Sequence, residues 1–287
     1  MRFLLCVLAF AGLASTAEAT FSVVASDSER REVGGAGASC VGDSVSVYRI
    51  YGSVPGRGAI HVQALLGTES RMAEALRRLA IEDEPTGILG ALTDLSFDPL
   101  QARRQYGIAD LMQRSAGFTG EENGGFAGHQ AGIISPYAYS VQGNLLTGAE
   151  VVDAMSGAFE TESCDLPDRL MAALEAGAAQ GGDERCALDG ADGSFIQVDR
   201  EGEPAGSYLS IRVDNTEAPV EVLRRRFDEW RREHPCRPLS IPEPTPVSPA
   251  AGSCNTSASP SSTRDIAWLG LLLLFFLRRG PAPRSVQ

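Results

Sequence analysis

The stretch TFSVVASD, Thr20 to Asp27, decides how the rest of the chain is read. From Phe21 to Ser26 apolar and small residues alternate, which is the period-two pattern of a strand with two different faces. Asp27 to Arg31 is a polar turn, and Glu32 to Cys40 returns as a second strand, so a hairpin is expected here. What precedes it has the form of a secretory leader. Met1-Arg2 is a short basic start, Phe3 to Leu13 an apolar run, and Ala17-Glu18-Ala19 a small-x-small cleavage site. Cleavage after Ala19 makes Thr20 the first residue, with a free amine and a hydroxyl on one Cα.

Further along, Ser44 to Ile50 and Gly58 to Leu66 read as strands. Ser70 to Ile81 reads as a helix with Met72, Leu76 and Leu79 on one face. Gln105 to Asp110 and Arg114 to Phe118 read as a hairpin, and Tyr137 to Asn144 as a strand. Between them the glycine-rich Thr119 to Gly132 reads as a loop, either a crossing or a cover folded over a site. Thr147 and Glu150 have capping-box spacing for a helix to about Glu160, and Asp165 is placed to cap the next helix. Phe195 to Val198 and Tyr208 to Asp214 are late strands, and Pro219 to Glu233 a final helix. Runs of strands around runs of helices predict an α+β fold with antiparallel sheets sandwiched by helices.

The chain has 287 residues, a formal charge of −12, and arginine as its only cationic side chain besides histidine. An acidic chain without a clustered basic face excludes nucleic acid as an expected partner. Arg224 to Arg226, Arg231 and Arg232 alternate with acidic residues along a solvated helix face. Of six cysteines, Cys6 lies in the leader and Cys254 near the C-terminus. Cys40, Cys164, Cys186 and Cys236 remain as two expected disulfides in an oxidising compartment, with three connectivities open. No C-x-x-C or H-E-x-x-H spacing exists, so neither a metal nor another cofactor is expected.

Four regions follow: a signal peptide (1–19), a folded domain (20–234), a Pro/Ser/Thr-rich linker holding Cys254 (235–264), and a short apolar tail (265–287). Ile266 to Leu277 is twelve residues long and is followed by Arg278-Arg279. As a helix it rises only ~18 Å, short of a full bilayer span. Cys254, the apolar run and the arginines resemble the Cys-containing myxobacterial C-terminal sorting signals, with GPAPRSVQ following the arginines here. The resemblance implies tail cleavage and lipidation at Cys254, and hence an exported protein at the cell envelope or surface.

No G-x-S-x-G elbow, P-loop or G-x-G-x-x-G is present. Thr20 remains as a nucleophile. A free α-amine, with a usual pKa of about 7.7–8.0, has a neutral fraction near pH 7 that can take the hydroxyl proton.

TFSVVASD, VGGAGAS, RQYGIADLMQRSAGFTGEENGGFAGHQAG, YSVQGNLLTGAEVVDAM, DRLMAALEAGAAQGGDE and LSIRVDN together resemble domain-of-unknown-function family 1028, a branch of the N-terminal nucleophile (Ntn) hydrolase superfamily. The resemblance covers nearly all of residues 20 to 230 and implies a four-layer αββα sandwich with Thr20 as nucleophile. It departs at His61-Val62-Gln63-Ala64, at LLGTESR, and at Thr86 to Pro99, which reads as an insertion.

An acyl-transfer site needs oxyanion donors. Asn144 is a candidate donor or a turn cap, and Gln63 a candidate donor on a nearby strand. Ser39 can orient the amine. His129 is a candidate substrate contact or a surface residue, and Asp183 a partner of the amine or a loop cap. The expected activity is hydrolysis of a small amide or peptide-like substrate through an acyl-enzyme. Signal peptidase, a sorting protease and the membrane are the other expected partners. The alternative is an envelope binding module that keeps the scaffold without turnover; a structural surface protein is a third class.

Overall fold

A computed structural model describes residues 20–40, 46–65, 67–186 and 191–238. Two compact units divide the chain, Met1–Ile241 and Pro242–Gln287, and the second lies outside the described residues. The proposed leader and Cys254 with the apolar tail lie outside them too.

Ten strands and five α-helices are described. The strands are β1 (Thr20–Asp27), β2 (Glu32–Ser39), β3 (Tyr51–Val54), β4 (Gly58–Gln63), β5 (Gln105–Asp110), β6 (Arg114–Thr119), β7 (Phe126–Ile134), β8 (Tyr137–Leu146), β9 (Gly193–Arg200) and β10 (Leu209–Val213). The helices are α1 (Glu69–Ala80), α2 (Pro85–Leu92), α3 (Ala149–Thr161), α4 (Leu166–Ala179) and α5 (Pro219–Glu233). A six-stranded sheet runs β10-β9-β2-β1-β8-β7 and a four-stranded sheet β3-β4-β5-β6, antiparallel throughout. The fold is therefore mixed α+β.

Side-chain alternation sorts the core. Phe21, Val23 and Ala25 of β1 join Val151, Met155, Leu170, Leu174, Leu223 and Phe227 of α3, α4 and α5 in the largest apolar cluster. Ile60, Val62, Tyr106 and Ile108 of the four-stranded sheet meet Leu79, Ile88 and Leu92 of α1 and α2 in a second. A third takes Val24, Val33 and Phe195 from the larger sheet and Tyr51 and Ala59 from the smaller. Every residue of β1 and β2 is buried, so both strands are covered on two faces. The small residues of EVGGAGAS suit that confinement. At Gly35 an added methyl would lie 2.4 Å from His61 Nε2, a separation no side chain tolerates.

Several local expectations are corrected. Val47–Ile50 is a 3-10 turn, and the strand starts only at Tyr51; Val47 and Ile50, three apart, both point into the third cluster. Within the expected glycine-rich loop, Phe126 onward forms the edge strand β7, whose Gly132 leaves room for the Tyr139 ring of β8. The capping box does not form. Gly148 is the cap, and the Thr147 hydroxyl donates to Gln180 O at 2.8 Å, tying the helix entry to the end of α4. Asp165 stands at the start of α4 without a capping bond from its side chain; its carboxylate instead accepts from Arg231 of α5. Residues 86–99 form most of α2 and a following turn, packed on the smaller sheet through Ile88, Leu89 and Leu92.

The disulfides pair Cys40 with Cys186 and Cys164 with Cys236, each with Cα atoms 5.9 Å apart. This is one of the three open connectivities and is compatible with export to an oxidising compartment. Beyond α5, Arg237 reaches the buried carboxylate of Glu32 at 2.7 Å. No helix among the described residues is long and apolar enough to cross a membrane.

Candidate functional site

Thr20 is the first residue of β1, placed between β2 and β8, where it lies opposite Ser39 on one side and Asn144 on the other. Its Oγ1 donates to Ser39 Oγ at 3.2 Å, and both residues are buried. Register alone brings these three together, because the polar positions at the ends of three adjacent strands fall in one row.

Beneath this row the facing sides of the two sheets are polar. Thr20 and Ser22 alternate with the apolar residues of β1; Ser140, Gln142 and Asn144 do the same on β8, and His61 and Gln63 on β4. All seven are buried. Ser22 Oγ donates to Gln63 Oε1 at 2.7 Å. Gln63 Nε2 donates to Gln105 Oε1 at 2.8 Å and reaches Thr20 O at 3.4 Å. Gln105 Nε2 shares its two hydrogens among Thr119 Oγ1 at 2.9 Å, Gly128 O at 3.1 Å and Gly143 O at 2.8 Å. Gln142 Nε2 donates to Ser22 Oγ at 2.7 Å, and Ser140 Oγ donates to Gln142 Oε1 at 2.9 Å. Gly107 makes space for that amide, since a methyl there would meet Gln142 Oε1 at 2.0 Å. His61 Nδ1 lies 2.9 Å from Ser22 Oγ. Burial pushes the His61 ring down to about 3, so it is neutral at ordinary pH.

Gln63 therefore holds the main chain of Thr20 from the opposite sheet, with its amide oxygen and nitrogen both engaged. Asp183 is fully buried and bridges to Leu146 of β8. Its carboxylate accepts from Cys40 N at 2.9 Å, from Arg185 N at 3.0 Å and from the Arg185 guanidinium at 2.9 Å. With the Cys40–Cys186 disulfide it fastens the end of β2, next to Ser39, to the segment after α4. His129 is farther out, on the exposed edge strand, opposite Gln142 in register and 2.9 Å from Thr119 Oγ1. Partial burial lowers its pKa.

Sequence reasoning passed over Ser22, His61, Gln105 and Gln142. The available signal was a polar period-two face on several strands that are apolar on the other side. Such a face normally reads as solvent-exposed; here it meets a second sheet. Two surface concavities among the described residues are lined by Arg31, Leu79, Asp110 and Met112 and by Gln130, Tyr139, Asp153 and Glu160. The groups of potential metal donors, Cys40–Cys186–Asp192 and Cys164–Asp168–Cys236, have their sulfurs in disulfides.

The family model described as "Family of unknown function (DUF1028)" matches residues 20–223. Among solved structures, the crystal structure of protein SPO2555 from Silicibacter pomeroyi, which carries the same family designation, is similar to this chain at 25% sequence identity and a TM-score of 0.62. The match covers 74% of this chain and 86% of that one. No curated protein matches the chain.

Proposed function

The chain belongs to the DUF1028 family, and from that premise we propose that it is an exported N-terminal-threonine amidohydrolase with an Ntn-type αββα arrangement. Helices clustered with each sheet, and a further cluster shared by both sheets, support the layered reading. The observation that carries the proposal is Thr20 itself. It is the first residue of an inner strand, its hydroxyl rests on Ser39, and Asn144 stands opposite in the adjacent strand.

In this reading, cleavage after Ala19 frees the Thr20 amine. The amine takes the Oγ1 proton as Oγ1 attacks a small amide or peptide-like carbonyl, then returns it to the leaving amine. An acyl-enzyme results, which water hydrolyses. Base and nucleophile share one Cα, so their mutual placement needs no second side chain. Ser39 orients the hydroxyl, and Asn144 supplies an amide N–H toward the developing oxyanion. His61 is not the base: its ring touches Ser22 and Gln142, and burial disfavours its protonated form. The C-terminal tail with Cys254 holds the domain at the cell envelope.

The test is the mass and first residue of the exported protein, followed by exposure to an electrophilic acyl probe. A start at Thr20 with probe covalently bound there supports the hydrolase. A start elsewhere, or a free Thr20 that never acylates, leaves the binding module as the function of this scaffold.

A further inference from the structure

We propose that Gln105 is a positioning residue: it fixes the direction of every hydrogen bond in the chain Gln105–Gln63–Ser22 beneath Thr20, and through that chain the tautomer of His61. Its bearing on catalysis rests on the reading of Thr20 as nucleophile; the bond directions do not.

The assignment starts from groups with no choice. Gly128 O and Gly143 O are main-chain carbonyls that only accept, and both lie within 3.1 Å of one end of the Gln105 amide. That end must be the NH2 group, because the oxygen would face two other oxygens. Gln105 Oε1 is thereby turned toward Gln63 and can only accept. Gln63 must present its own NH2 group there, the same group that faces the accept-only Thr20 O. Its Oε1 is left facing Ser22 Oγ at 2.7 Å, so the single hydroxyl proton of Ser22 is committed to Gln63. Ser22 Oγ then has only lone pairs for its remaining neighbours, Gln142 Nε2 and His61 Nδ1. His61 Nδ1 must carry the proton. The 3.2 Å approach of Gln142 Nε2 to His61 Nδ1 is then a contact between two donors that share one acceptor.

The other end of the ring agrees. Among the described residues His61 Nε2 is buried without a hydrogen-bond partner, and it lies 2.4 Å from where a Cβ on Gly35 would stand, against the Gly35 Cα–H side. A bare lone pair facing Cα hydrogens is tolerable there, whereas an N–H would be an orphaned buried donor. Every residue from Gln105 to His61 is at most 2% exposed, so no bulk water competes for these bonds. The result is a network of fixed bond directions beneath Thr20, in which Gln63 presents its NH2 group to the Thr20 carbonyl.

The experiment is long-range ¹H–¹⁵N correlation on the full chain with ¹⁵N-labelled histidine, which separates a proton-bearing ring nitrogen from a bare one. His61 is identified by loss of its signals in His61→Gln. The expected result is a single Nδ1–H form of His61. Gln105→Leu removes the 2.8 Å acceptor and leaves only the 3.4 Å contact with Thr20 O to orient the Gln63 amide, so the amide can reverse and Ser22 can donate to His61; both tautomers should then appear. Gln105→Glu restores an acceptor toward Gln63 and, as a buried protonated carboxyl, a donor toward the carbonyls, so the single form should return. An Nε2–H form in the unmodified protein overturns the proposal. So does an unchanged single Nδ1–H form in Gln105→Leu. None of these readings depends on whether Thr20 acylates.

Discussion

His61 Nε2 and Gly35 face each other across the two sheets so closely that a methyl on Gly35 would lie 2.4 Å from the nitrogen. Polar side chains from one sheet thus occupy space that the other sheet vacates by having no side chain.

Gly35→Ala should therefore destabilise the protein by roughly 1–3 kcal/mol, the usual range for overpacking a packed site. Combining it with His61→Ala should cost less than the sum of the two single changes, since the His61 ring is the nearest obstacle, with the Tyr51 ring next at 2.9 Å. Chemical denaturation of the four proteins in the cycle measures this. Strict additivity would show that the strain lies in the backbone instead.

Acid should weaken the fold through His61. Its folded pKa, about 3, is below the usual 6.5, so the unfolded chain binds the proton first. Stability from the neutral ring is complete above pH 6.5 and is lost as pH falls toward 3. Between pH 6.5 and 4.5 the loss should reach about 2–3 kcal/mol. Denaturation midpoints of His61→Gln should lack that slope, while any contribution of His129 remains in both proteins. Parallel slopes would contradict the burial argument.

The two disulfides should separate by effect. Replacing either pair with alanines should cost about 2–5 kcal/mol in thermal or chemical unfolding. Only loss of Cys40–Cys186 should also slow acylation of Thr20 below the unfolding temperature, because that bridge fastens the segment next to Ser39. Loss of Cys164–Cys236, which ties the start of α4 to the segment after α5, should leave the acylation rate intact. Equal effects on acylation would detach the first bridge from the site.

Thr20→Ala should abolish probe acylation while costing only about 1 kcal/mol of stability, since the hydroxyl donates a single long hydrogen bond, to Ser39. Intact mass after probe treatment and a melting curve together check this. Acylation surviving the change would place the nucleophile elsewhere.

The strands were legible where sequence period and burial agree. TFSVVASD, RQYGIAD and the stretch from Tyr137 to Asn144 all became strands, and four of the five helices lie close to the segments read as helical, while α2 falls in the stretch read only as an insertion. The misses share a cause. Thr147 and Asp165 look like helix caps by spacing, but their side chains turn to tertiary partners: Thr147 Oγ1 donates to Gln180 O, and Asp165 accepts from Arg231. Phe126 to Ile134 looks like a loop because its glycines have weak strand preference; β8 supplies the ladder that makes it a strand.

By itself the sequence determined the strand hairpin that begins at Thr20, the mixed α+β class, the small residues of β2 and the family. These are local or compositional properties, carried by side-chain period and motif. Only the tertiary structure decided which cysteines pair, that Ser39 and Asn144 flank Thr20, and that the polar sides of the strands face one another rather than water. Those depend on sheet order and on the packing of one sheet against another. A residue's spacing along the chain fixes which side of its strand it occupies, but not what lies opposite that side.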